Sequence, residues 1–353
     1  MDTNQKLSKI IEDAIVAGGS DIHLSSGRIP AMRVNSVLVN IVNQNSITQA
    51  EIFDFLKIMV EDEKSLKRFL DEQELDFAYD FKPGVRLRGN AFFQKGEISI
   101  ALRIIPHVKT FKELNLPEQL SQFAYKKQGF FLVVGPVGQG KSTTMAAIID
   151  TINKERAEHI ITIEEPIEYI FESKKSIIDQ REVGIDTKSF ESALKSAFRE
   201  DANVLMIGEM RSPETISAAV TAAETGHFVI STLHTNNASQ TIDRIIDSFP
   251  GAQQSQIRNQ LASSLLGIFS QRLVPRVSGG LVPAYELLIN TKATANLIRE
   301  GRTHEVDMLI ETGSEHGMID MNHSLVELVR KGEISVDDAR RFSLNPKAFD
   351  NLL

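Results

Sequence analysis

The run Gly135-Pro136-Val137-Gly138-Gln139-Gly140-Lys141-Ser142-Thr143 (GPVGQGKST) satisfies the pattern G-x-x-x-x-G-K-S/T. The chemistry of such a run is phosphate binding. Glycines at positions 135, 138 and 140 let the backbone turn tightly, so that successive amide N–H groups point at phosphate oxygens. Lys141 supplies a cation for the β- and γ-phosphates, and Ser142 offers a hydroxyl to Mg²⁺. The flanks agree. An apolar strand, Phe130 to Val134, leads in, and Met145, Ile148, Ile149 and Ile152 at i, i+3, i+4, i+7 spacing lay down a helix after it. The helix N-terminus adds a favourable dipole. A chance match on a glycine-rich turn has no reason to carry both flanks, so the segment reads as the P-loop of an ATP-binding enzyme.

Hydrolysis needs more than a cradle. It needs a group that orients or deprotonates the attacking water, and a carboxylate near Mg²⁺. Three further apolar runs end in polar residues: Ile160–Ile163 in Glu164-Glu165-Pro166, Val204–Ile207 in Gly208-Glu209, and Phe228–Ile230 in Ser231-Thr232-Leu233-His234. Unbroken apolar runs suit strands buried on both faces, and ligands of open parallel sheets sit beyond the carboxyl ends of such strands. Glu164 and Glu209 are therefore the candidate catalytic carboxylates, with Glu209 and Ser142 the candidate Mg²⁺ ligands; the alternative is two merely solvated acids. His227 and His234 bracket the last strand and cannot share one tip. His234 is the one nearer the active end, and a structural hydrogen bond is the competing reading for either.

The elements that must position these residues follow from pattern. Leu7, Ile10, Ile11 and Ile15 give an amphipathic helix over Asn4–Ala17, stopped by Gly18-Gly19. Short strands are expected at Asp21–Ser25, Met32–Val34 and Val37–Val42, with a hairpin turn at Asn35-Ser36. A helical stretch spans Gln49–Leu70 and breaks near Glu61. A meander covers Glu74–Phe81, Val85–Phe93 and Glu97–Ile104, with turns at Pro83-Gly84 and Lys95-Gly96. This is a small α+β domain. Ile105–Leu116 reads as linker, giving a division into 1–106, a connection at 107–118, and an α/β domain over 119–353. From about Gln253 onward the pattern reads as mostly helical, and the last ten residues or so as loose.

Composition narrows the class. The chain has 353 residues, 42% of them hydrophobic, a formal charge of −8 and no cysteine. The acidic balance argues against a dedicated nucleic-acid binder. The lack of cysteine excludes disulfides and thiolate zinc sites. No run approaches the roughly 20 apolar residues of a membrane span. The N-terminus lacks a signal-peptide core, so a cytoplasmic protein is expected, with peripheral attachment to a membrane machine left open.

Taken together, the motifs resemble the secretion ATPase superfamily, and within it the type IV pilus retraction ATPases. GPVGQGKSTTMAAIID resembles the Walker A box, ITIEEPIEY the acidic box, and SAFREDANVLMIGEMRSPETISAAVTAAETGH the Walker B region. STLHTNNASQTIDRIID resembles the His box, and QIRNQLASSLLGIFSQRLVPR the IRxQLA segment. GGSDIHL and VRLRGNAFFQKG match in the first domain. The resemblance covers nearly the whole chain. It implies a RecA-like ATPase domain preceded by a PAS-like domain, in a homohexamer that acts on an inner-membrane pilus platform protein at the cytoplasmic face of that membrane. It also implies that Arg88 and Arg103 reach the phosphates, that Glu164 is the catalytic and Glu209 the Walker B glutamate, and that His227, His234 and Arg244 serve the nucleotide. Departures are Glu165 for the usual Asp, Gln139 where Ser is common, Gln256 for Ala and Lys95 for Arg.

Other functions remain in view at this level. Assembly or secretion ATPases of the superfamily carry an extra N-terminal domain and a tetracysteine zinc element, whereas this chain has no cysteine and begins almost at the PAS-like segment. A nucleotide-dependent regulatory module with little hydrolysis is a third option, and a DNA-translocating motor a fourth.

Overall fold

The computed structural model describes residues 2–34, 37–83, 85–105 and 107–353. The turn expected at Asn35-Ser36, and Gly84 of the next turn, lie outside the described residues. Two compact units result, Met1–His107 with Glu168–Ile170, and Val108–Ile167 with Phe171–Leu353.

The first unit begins with α1 (Thr3–Val16), started by a capping box in which Asp2 and Gln5 bond each other's backbone. Its buried stripe is Leu7, Ile10, Ile11 and Ala14. The charged stretch that follows splits into α2 (Gln49–Met59) and α3 (Glu63–Glu72), because Asp62 caps a new helix through the amides of Lys64 and Ser65. Six strands, β1 (Asp21–Ser25), β2 (Ala31–Val34), β3 (Val37–Asn40), β4 (Glu74–Lys82), β5 (Val85–Gln94) and β6 (Glu97–Ile105), pair antiparallel in the order β3-β2-β1-β6-β5-β4. Period-two burial puts Ile22, Leu24, Leu87, Ala91, Ile100 and Leu102 in one core with Ile52, Phe55 and Leu56 of α2.

The second unit is the expected α/β core. Its strands are β7 (Gly129–Val134), β8 (His159–Glu164), β9 (Ile177–Glu182), β10 (Val204–Ile207), β11 (Phe228–Leu233), β12 (Leu265–Pro275) and β13 (Leu281–Ile289), in the order β13-β12-β7-β11-β10-β8-β9. All pairs are parallel except β12 with β13. Every residue of β7, β10 and β11 is buried; β7 and β10 are apolar throughout, and the hydroxyls of Ser231 and Thr232 in β11 donate to Ile207 O and Gly208 O. Its helices are α4 (Ser121–Ala124), α5 (Lys141–Glu155), α6 (Phe190–Ala197), α7 (Pro213–Glu224), α8 (Ala238–Asp247), α9 (Gly251–Ser264), α10 (Lys292–Glu300), α11 (Val306–Thr312), α12 (Met321–Arg330), α13 (Val336–Phe342) and α14 (Pro346–Leu352).

One expectation is extended here and one is corrected. The segment after Gln253 is mostly helical, as expected, but it also holds a hairpin: α9 runs straight into the 11-residue strand β12 and its antiparallel partner. The sequence LLGIFSQRLVP conceals a strand because Ser270, Gln271 and Arg272 in its middle are polar, yet all three are buried. The C-terminus, by contrast, is not loose. α14 starts on an Asn345 cap, and Phe349 is fully buried against Val274, Val282, Met321, Leu325 and Ile334. Phe349→Ala is therefore expected to cost about 3–5 kcal/mol in a denaturant titration, the range for emptying a closed aromatic site. A loss below roughly 0.5 kcal/mol, the range for surface changes, contradicts the packed terminus.

Candidate functional site

The loop between β7 and α5 holds a backbone that only glycine adopts without strain. Gly135, Gly138 and Gly140 have φ of 147°, 77° and 78°. Space is as tight as conformation. A Cβ on Gly135 would lie 2.5 Å from the Gln271 carbonyl oxygen, and one on Gly140 2.9 Å from Gln271 Nε2. The Gln271 side chain fastens the loop from β12: Nε2 donates to Gln139 O at 2.8 Å, and Oε1 accepts from Thr144 Oγ1 of α5 at 2.6 Å. Gln139 closes the clamp, its Oε1 accepting from Leu273 N at 2.6 Å. The long side chain at 139 thus reaches the neighbouring strand and anchors there. Pro136 is half-buried, whereas Val137 and Gly138 at the tip are exposed.

A line of alternating charges crosses the carboxyl ends of the strands. Lys141, buried in the first turn of α5, donates to Gly135 O and Pro136 O, each at 2.9 Å, and stands 3.3 Å from His234 Nδ1. Lysine has no acceptor, so Nδ1 accepts, and the neutral imidazole carries its proton on Nε2. Nε2 lies 3.3 Å from Glu209 Oε1. Glu209 Oε2 is 2.9 Å from Arg211, whose other amino group is 3.6 Å from Glu165. Burial lowers the His234 pKa, Lys141's charge lowers it further, and Glu209 offsets only part of this. Burial pushes Glu209 up, but the hydrogen bond and charge of Arg211, with His234 and Lys141, outweigh it and hold the carboxyl below its ordinary value. At neutral pH the line therefore reads cation, neutral imidazole, carboxylate, cation, carboxylate.

Glu164 ends β8 almost fully buried, its Oε1 accepting from Thr162 Oγ1 at 2.7 Å. Glu164 and Glu209 sit at the same end of parallel neighbours, because β8 pairs β10 in register, Ile163 with Ile207. Ser142 and Thr143 occupy the first turn of α5, half-exposed beside Lys141. Ser142 and an ionised Glu209 are hard oxygen donors of the kind Mg²⁺ takes where phosphates complete its shell.

The remaining sequence candidates lie elsewhere. His227 precedes β11, at the end opposite His234, where Nδ1 is 3.0 Å from Ala222 O and the ring meets Phe198 edge-on. Arg244 is exposed in the last turn of α8. Arg88 and Arg103 belong to the first unit, as registered partners on β5 and β6, with Arg103 Nε 2.9 Å from Asp21. Sequence reasoning missed Gln271, Thr144 and Arg211. Arg211 had a signal, two residues past Glu209 at a strand end. Gln271 had none, since nothing local ties it to a loop over 130 positions away.

The type II/IV secretion system protein family matches residues 3–345. This chain belongs to that family. Among secretion system relatives, it is 40% identical over 344 residues to the type IV pilus retraction ATPase PilT of Pseudomonas aeruginosa, covering 97% of this chain and 99% of the relative. It is 41% identical over 321 residues to a twitching motility protein of Neisseria gonorrhoeae, covering 90% and 85% of the two chains. A crystal structure of the pilus retraction motor PilT with bound ADP superposes with a TM-score of 0.90 at 44% identity over 98% of each chain. The two-sheet α/β architecture is thus that of the secretion ATPases.

The neutral His234 gives a pH signature. Its folded pKa lies below the unfolded value of about 6.5. Between those values the unfolded chain binds more protons, so this contribution to stability is complete above about 6.5 and lost as pH falls through that window. Thermal unfolding of wild type should fall more between about pH 7 and about pH 5.5 than that of His234→Asn. Parallel declines speak against a neutral, lysine-facing imidazole.

Proposed function

We propose that this protein is the ATP-hydrolysing motor of type IV pilus retraction, acting as a homohexamer on a pilus platform protein at the cytoplasmic face of the inner membrane. The observation that carries the reading is the Lys141–His234–Glu209–Arg211 line beside a clamped P-loop, in a chain similar to retraction ATPases over nearly its full length. No helix among the described residues is long and apolar enough to cross a membrane, which suits a peripheral motor.

The protein is an ATP hydrolase. Amides of Pro136–Thr143 take the phosphate oxygens at the N-terminus of α5, where partial positive charge collects. Lys141 exchanges its two loop carbonyls for the β- and γ-phosphates. A charged donor on ionised oxygens makes the stronger bonds, and the net charge of −8 is no obstacle because the cradle is local. Ser142 and Glu209 would hold Mg²⁺, which would supply positive charge to neutralise the phosphates. Glu164 accepts the proton of the attacking water while the water oxygen bonds the γ-phosphorus and the bridging oxygen leaves with ADP. Its buried position keeps the base in place and bulk water out. Arg88 and Arg103 supply guanidinium forks to the phosphates, and Arg244 completes nucleotide contacts in the assembled ring; His227, at the far end of β11 on Ala222 O and Phe198, takes a structural role instead.

Lys141→Ala and Glu164→Ala are each expected to lower phosphate release by the assembled hexamer about 100-fold or more, the scale of losing a group used only in the transition state. Normal turnover by both variants overturns these roles. Deletion of the gene should leave cells with surplus pili; bald cells would assign the protein to assembly instead.

A further inference from the structure

We propose that Arg272 is a positioning residue for hydrolysis: through Asn236 it fixes the loop that presents His234 to Lys141 and Glu209. The inference rests on the reading above, in which His234 belongs to the active site.

Arg272 lies in the middle of β12 and is 6% exposed. Its neighbours Gln271 and Leu273 bond the P-loop, so strand alternation turns Arg272 to the opposite face. There Nη2 donates to Asn236 Oδ1 at 2.9 Å and to Asn236 O at 3.5 Å. Arg272 forms no ion pair among the described residues, and its buried Nη1 has no hydrogen-bond partner among them. Burying the guanidinium is costly, the charge of Glu286 offsetting only part of that cost, and a leucine or methionine would fill the space without it. What the arginine does there, besides facing Glu286, is hold Asn236.

Asn236 sits in the short connection His234–Asn237 between β11 and α8. Each end of this connection is tied. Thr235 Oγ1 meets Thr241 Oγ1 at 2.7 Å, Asn237 caps α8, and Ala238 N donates to buried Glu286 at 2.8 Å. Asn236 is the link between these ties and β12. One strand therefore sets both the P-loop, through Gln271, and the histidine loop, through Arg272. A displacement of about 1 Å in such a constellation is enough to slow the reaction about 100-fold.

The test compares Arg272→Met, Asn236→Leu, their double variant, Arg272→Lys and His234→Gln, by steady-state phosphate release with magnesium ATP. pH is held fixed because burial pushes Glu286, which faces the same loop, up to about 7. The expected result is a fall in kcat of about tenfold or more for both single variants, with KM changed less than about twofold because the P-loop is untouched. The double variant should equal either single one, since all act through one bond. Arg272→Lys, which keeps a donor, should recover part of kcat. Asn236→Leu leaves β12 intact, so it carries the test if Arg272→Met does not fold. Unchanged kcat in folded Asn236→Leu, or additive losses in the double variant, overturns the positioning role while a low kcat in His234→Gln leaves the site reading intact. Wild-type kcat in His234→Gln overturns both.

Discussion

The phosphate loop keeps its shape because it is held from one side by a strand far away in sequence. Three glycines adopt positive φ, Gln271 bonds the loop backbone and the first turn of the helix that follows, and its carbonyl fills the space a Cβ at Gly135 would need. A free glycine-rich turn would sample many conformations and lose entropy on binding. A turn already fixed loses little, so more of the attraction between amides and phosphates appears as affinity. The clamp in turn requires β12 to lie beside β7 in parallel register, Ser270 against Val134. That register is secured by the antiparallel partner β13 and by the C-terminal cluster around Phe349, which packs on Val274 and Val282 of the same hairpin. Helices far from the site thus bear on it through one rigid strand.

Charge organisation follows the same economy. The chain is acidic as a whole, yet at the site Glu209 and Glu165 are paired with a cation. Arg211 stands between Glu209 and Glu165, so neither carboxylate faces Lys141 uncompensated. Neutral His234 stands between Lys141 and Glu209, its two ring nitrogens 3.3 Å from each. The longer Glu165 has a partner at 3.6 Å in Arg211, which gives this departure from the usual Asp a structural place.

Much of the site was legible in residues alone. The P-loop announces itself because its geometry demands glycine, lysine and a hydroxyl at fixed local spacing. Glu164, Glu209 and His234 were readable because each follows a mainly apolar run that suits a buried parallel strand, and ligands gather beyond the carboxyl ends of such strands. The first unit's strands were readable from period-two alternation. β12 was not, because Ser270, Gln271 and Arg272 serve partners across the fold and break the apolar run; β9 was not, because it is a polar edge strand.

The sequence by itself determined which chemistry is available: a phosphate cradle, two carboxylates and a histidine at strand ends, since these depend on local backbone rules and residue type. Only the tertiary structure decided which groups share a site. It placed Arg211 between two acids, set His234 against Lys141 in one tautomer and sent His227 to the far end of its strand. It also brought Gln271 to a loop more than 130 residues earlier. The physical reason is that hydrogen bonds and charge pairs depend on distances of about 3 Å. Strand order, not chain order, sets those distances.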